Sequence, residues 1–257
     1  MTEASAILAL AHRDFIKLLR DRQRMVADFA FPLIFIGILG TSLQAGFGSQ
    51  AGGVNLLDYV FTGVLAQTVW QSSALGLISL LADREQDFSQ EIFVSPISRY
   101  SIILGKILGE SLVALPQALG IIAFGFILRV PLDAERLLGM AGALAVIALF
   151  GGAFGVIVLS NLSSQRAANQ IFPFVMLPQF FLAGIFNPIQ HLPLPLDILS
   201  HLAPMRYAVD LLRDAFYGST SPVVLSSATT NLEIIGALFV AFMVVGTFLF
   251  VRAERNR

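Results

Sequence analysis

The sequence predicts an all-α integral membrane protein with six transmembrane helices, and three observations carry that prediction. Only 13% of its 257 residues are charged and 56% are hydrophobic, against about 25% and 45–50% in an ordinary soluble domain. Mean hydropathy is +0.79, a value that fits a chain bathed in lipid rather than water. Six stretches approach the roughly 20 apolar residues needed to cross about 30 Å of hydrocarbon.

An amphipathic helix is expected first, within residues 1–25. Ile7, Leu8, Ala11, Phe15, Leu18 and Leu19 recur at helical spacing, while His12, Arg13, Asp14, Lys17, Arg20 and Asp21 fill the rest of the turn. Directly ahead of an apolar run, such a helix should lie in the cytoplasmic interface. Arg13, Lys17, Arg20, Arg22 and Arg24 precede that run without a small-residue cleavage pattern, which argues against a cleavable signal peptide. Insertion into a bacterial plasma (inner) membrane by its own first span is expected instead.

The predicted spans run from Val26 to Leu43, Tyr59 to Leu81, Ile102 to Leu128, Leu137 to Leu159, Ile171 to Phe186 and Leu232 to Val251. Pro116 can bend the third, and Pro173 with Pro178 interrupts the fifth. With both termini in the cytoplasm, 12 of the 16 Lys and Arg residues fall in cytoplasmic segments. Only Arg129, Arg136, Arg206 and Arg213 fall outside, and the reversed topology would invert that ratio. The 22 Phe residues against one Trp and four Tyr place aromatic mass in the hydrocarbon core rather than at its edges.

Between the second and third spans lies an unusually polar stretch, residues 83–99. A connector there needs only a few residues. Phe88, Ile92 and Phe93 instead form an apolar stripe opposed by acids, ahead of a turn at Ser95-Pro96. A short cytoplasmic helix that docks another protein is the expectation. Outside the membrane, residues 187–218 hold Pro188, Pro193, Pro195 and Pro204, which break any long helix, and Met205–Tyr217 then has amphipathic helical spacing.

Within the spans, polar groups have competing readings. Asp28 and Glu110 lie near cytoplasmic membrane ends, where structural anchoring by a neighbouring cation is favoured over a proton relay. Gln67, Gln71 and Gln179 could bond between helices or line a pathway. Gly105/Gly109 and Gly151/Gly155, each four apart, permit close helix packing. His12, His191 and His201 lack ligand spacing, so no metal is expected. Without cysteine there is no disulfide scaffold and no cysteine nucleophile. No nucleic-acid partner is expected.

Arg84-Glu85, Val94-Ser95-Pro96-Ile97-Ser98-Arg99 and Leu104-Gly105-Lys106 resemble the cytoplasmic loop of ABC-2 type transporter permeases. That loop commonly reads Arg-Glu-x-Gly-Thr-Leu-Glu, then Ser/Thr-Pro and a Gly-Lys pair; Asp87 stands here for its glycine and Gln90 for its later glutamate. The run His201-Leu202-Ala203-Pro204-Met205-Arg206-Tyr207 to Leu212-Arg213 resembles the same family's proline-aromatic-leucine-arginine segment before the last span.

The resemblance implies one transmembrane domain over residues 1–257, with a cytoplasmic coupling helix in 83–99 and extracytoplasmic re-entrant helices in 187–218. It implies two permease chains, as homodimer or heterodimer, above two copies of an ABC ATPase, with Arg84, Glu85, Phe88 and Glu91 making the ATPase contact. No G-x-x-x-x-G-K-[ST] motif occurs, so ATP and Mg belong to that partner and no cofactor is expected in this chain. Export of a drug-like or lipid-like molecule is the leading expectation, with lipid-linked glycan or polysaccharide second. An intramembrane enzyme would need a catalytic pair within the spans, and a secondary carrier an internal repeat with midplane charges; neither pattern is present in the sequence.

Overall fold

A computed structural model describes residues 3–20, 26, 29–30, 32–42, 50–51, 54–79, 81, 99–160, 162 and 164–255. Among these the architecture is helical, apart from a two-residue antiparallel hairpin, β1 (Gln50–Ala51) with β2 (Val54–Asn55). Among the described residues, three helical segments are long and apolar enough to cross a membrane: Ser101–Ile127, Ala134–Leu159 and Ala228–Phe250. This is an all-α membrane protein.

Helix α1 (Glu3–Arg20) packs along the N-terminal half of α3 (Arg99–Ile127). The face it turns inward carries a charged residue as well as apolar ones. Ala11 and Asp14 are buried, while Leu8 stays 68% exposed. The reason is space: Gly109 of α3 leaves room for the Ala11 backbone, and a Cβ added there would sit 3.0 Å from the Ala11 Cα. The first predicted span is described only in part. Its residues Phe35–Gly40 wind as a π-helix, and Gly40 within it packs on Leu57.

Helix α2 (Leu56–Gly76) is the hub. The Asn55 side chain accepts a hydrogen bond from the Leu57 N–H at 2.9 Å, which starts the helix three residues before the predicted span. Every residue from Leu56 to Trp70 is buried, as a helix without a polar face must be when surrounded by other helices. Phe61 lies against Gly125 and the Ser73 hydroxyl reaches the Glu110 carbonyl, so α3 runs antiparallel to α2. Helix α4 (Ala134–Leu159) runs parallel to it: Gly151 meets the Trp70 carbonyl and Gly155 meets that of Ala74. The four-residue step is the same on both helices, so the seam lets two backbones touch.

Asp133 caps α4 through the Arg136 N–H, and Ser164 caps α5 (Gln165–Leu182) through that of Ala167. Both caps start their helices earlier than hydropathy alone places them. Gly184, at φ +69°, ends the α5 segment in the left-handed conformation glycine favours. Two short helices follow, α6 (Leu194–Leu202) and α7 (Pro204–Tyr217), broken at Ala203 because a residue before proline prefers extended backbone. Helix α8 (Ala228–Arg255) returns beside α4, where Phe242 stacks on Phe150 at 6.0 Å. Trp70, Phe150, Phe154 and Phe242 thus join α2, α4 and α8 in one aromatic cluster.

Candidate functional site: polar clusters at the two ends of helix α2

Polar side chains are costly inside an apolar bundle unless paired, so where they gather is informative. Here they gather at both ends of α2, about 25 Å apart at 1.5 Å per residue.

At the C-terminal end, Lys106 of α3 is enclosed by acids from two helices. Its Nζ lies 2.8 Å from Asp14 Oδ2 of α1 and 3.8 Å from Glu110 Oε1. All three side chains are 3% exposed. Arg13 adds a second cation to Asp14 at 3.0 Å. The Glu110 carboxylate fills the space left by the missing side chain of Gly76 and accepts a bond from Ser79 at 3.3 Å. Three helices therefore meet at one buried ion cluster. Lys106 of the Gly-Lys pair thus has a structural task, as does Glu110, which is anchored by it.

The loop whose Arg84, Glu85, Phe88 and Glu91 are the sequence-predicted partner contacts lies outside the described residues, as does Asp28. Its flanks are described. Leu77, Ile78 and Leu81 on one side, and Ile102 and Ile103 on the other, are buried. These flanks lie toward the same end of α2 and α3 as the Asp14–Lys106–Glu110 cluster.

At the N-terminal end of α2, Arg213 of α7 is 1% exposed. Its Nη2 donates to the Gly184 carbonyl at 2.7 Å and to that of Tyr59 at 3.5 Å. The guanidinium lies 3.7 Å from the centre of the Tyr59 ring. The Tyr59 hydroxyl donates to the same Gly184 carbonyl at 2.7 Å. Burial raises the Asp214 carboxyl above the usual carboxylate range, and the nearby Asp210 carboxylate acts in the same direction.

Asp210 clamps α7 to the segment that leads into α8. Its carboxylate accepts from the Leu225 and Ser226 N–H groups at 2.7 and 2.8 Å and from Asn231 Nδ2 at 2.8 Å. Asp210→Ala removes the acceptor of two part-buried N–H groups and weakens the bonding of Asn231, which keeps the Ser226 carbonyl, and is expected to cost about 3 kcal/mol, since each stranded group costs about 1–3 kcal/mol. A thermal-unfolding series in one detergent measures this, with Asp210→Asn falling between the two.

The three glutamines do not form one surface. Gln67, 4% exposed, donates to Gln71 at 3.3 Å along α2. Gln179 of α5 instead accepts from the Met205 N–H at 3.3 Å, covering the start of α7. Sequence reasoning missed Asp14 and Arg213 as partners of distant groups. The only hints were that Lys106 and Arg213 sit inside the two quoted motifs.

The model of one family, described as ABC-2 type transporter, matches residues 5–217. Over 97% of its length the chain is 25% identical to a protein of Cyanophora paradoxa named transport permease ycf38, covering 89% of that protein. A second relative, named multidrug ABC transporter permease YbhR, from Escherichia coli, is 28% identical over 60% of this chain and 44% of its own length. Nodulation protein J of Rhizobium meliloti is 25% identical over 91% of this chain and 86% of its own.

Proposed function

The chain belongs to the ABC-2 type transporter family, and we propose from that premise that it is the membrane-spanning subunit of an ATP-driven exporter. In this reading the bundle has six spans, residues 1–257 form one domain, and both termini face the cytoplasm of a bacterial inner membrane. Two such chains, alike or different, pair above two copies of a separately encoded ABC ATPase, which carries the ATP and Mg.

The observation that carries the reading is the buried charge that ties α1, α2 and α3 at the end where residues 82–98 connect α2 to α3 in sequence. A push on that loop from an ATPase acts on three helices together, because stretching a buried ion cluster is costly. Arg84, Glu85, Phe88 and Glu91 make the ATPase contact. The cargo is drug-like or lipid-like. Few charges line the helices, and the name of the Escherichia coli relative includes multidrug transport.

The test is an Arg84→Ala/Glu85→Ala/Phe88→Ala variant, purified in lipid nanodiscs with the ATPase. Since Phe88 is an apolar anchor and the two charged residues orient it, complex formation should fall by about tenfold or more. Cargo-stimulated ATP hydrolysis should fall with it. A variant that binds and stimulates the ATPase like the unmodified chain would contradict the docking role.

A further inference from the structure

We propose that Arg213 is a releasable pin that holds α7 shut over the N-terminal end of α2, and that α7 parts from α2 there when the bundle opens. The word "opens" rests on the transport function proposed above; the closed contact does not.

Three segments meet at this one side chain. Arg213 comes from α7, the Tyr59 ring and carbonyl from the first turn of α2, and the Gly184 carbonyl from the turn after α5. The approach is tight, since a Cβ on Gly63 would lie 3.2 Å from Arg213 Nη2 and 2.6 Å from the Ile185 carbonyl oxygen. Without the guanidinium, the Tyr59 hydroxyl alone would still bond the Gly184 turn, and nothing from Arg213 would draw α7 to either.

The chemistry of the contact distinguishes a pin from a permanent joint. Lys106, at the other end of α2, faces two carboxylates, and parting them would leave charges of both signs buried. Arg213 has no carboxylate ion pair among the described residues, and its Nε has no hydrogen-bond partner there. Neutral carbonyls and an aromatic face hold it. A buried guanidinium loses hydration that such partners only partly replace. Water regained on opening offsets the bonds given up, so the contact can close and release repeatedly.

The chain lacks cysteine, which allows a single thiol to report opening. Thr62, one turn beyond Tyr59 on α2, is 0% exposed. In a complex with the ATPase in nanodiscs, Thr62→Cys should react slowly with a membrane-impermeant maleimide. Adding Arg213→Ala should speed labelling about tenfold, the factor that a lost buried hydrogen bond of ordinary strength produces. Ala74→Cys, also 0% exposed and at the far end of α2, should stay slow in both backgrounds. If Arg213→Ala does not assemble, Arg213→Lys keeps the charge and loses the planar guanidinium over the Tyr59 ring, and should give about threefold.

Equal labelling of Thr62→Cys with and without the pin overturns the proposal. So does equal acceleration at Ala74→Cys, which reports general loosening. ATP should also speed Thr62→Cys labelling while Arg213 is present. If Arg213→Ala accelerates labelling but ATP never does, the pin stands and the ATP-driven reading fails.

Discussion

Lys106→Met should be among the most damaging single substitutions in the protein. It is nearly isosteric, so the loss is of charge rather than volume. Asp14 and Glu110 would remain buried with their principal shared cation removed. Breaking a buried pair from one side costs about 3–5 kcal/mol, a large share of the 5–15 kcal/mol that stabilises a typical fold. The folded fraction recovered in mild detergent should drop severely, and α1 should detach from α3 and become accessible to protease. The further variant Asp14→Asn/Lys106→Met/Glu110→Gln should recover most of the loss, because the one charge it leaves beside the cluster, that of Arg13, is partly exposed to solvent. Wild-type stability in Lys106→Met would show that the cluster is not a joint.

An effect of similar size is expected from Gly151→Val, and it comes from sterics alone. The Trp70 carbonyl of α2 occupies the space where a side chain on Gly151 would begin. Backbone cannot swing aside as a long side chain can, so α2 and α4 must separate. Separation also opens the aromatic cluster, in which Trp70 and Phe154 are 4.5 Å apart. Overpacking typically costs about 1–3 kcal/mol, and a collision with backbone at the hub should lie at or above the top of that range. Gly142 on the same helix supplies the control, with nothing within 4 Å of its would-be Cβ. Gly142→Ala should be neutral or stabilising by up to about 1 kcal/mol. Thermal midpoints of the two variants in one detergent decide the matter, and equal midpoints would refute the close-packed seam.

The two cases also show what the sequence makes legible. The Gly151/Gly155 seam could be anticipated because small residues four apart state their purpose locally: they let another helix approach. The apolar runs likewise located the long helices, and their edges moved by a few residues where Asn55, Asp133 and Ser164 supply caps. Hydropathy does not register a cap.

Asp14 illustrates the opposite situation. A helical wheel places it beside Ile7 and Leu18, on the apolar side, but says nothing of the cation that its charge needs there, which Lys106 supplies. Sidedness within one helix cannot name a partner on another. Arg213 and Tyr59 are separated by 154 positions, and Gln179 meets Met205 rather than a second glutamine. These pairings depend on how helices are arranged, and that is set by the sum of packing contacts rather than by any local pattern.

In the proposed function, movement of cargo through this chain is driven by a partner's ATP hydrolysis. The most direct test is reconstitution in sealed vesicles of the chain with an ABC ATPase that co-purifies with it, following an amphipathic fluorescent dye across the bilayer. The account predicts dye movement only when both chains and ATP with Mg are present, and its loss in the Arg84→Ala/Glu85→Ala/Phe88→Ala variant. Equal movement without the ATPase, following the dye or proton gradient alone, would contradict it and identify a self-sufficient carrier.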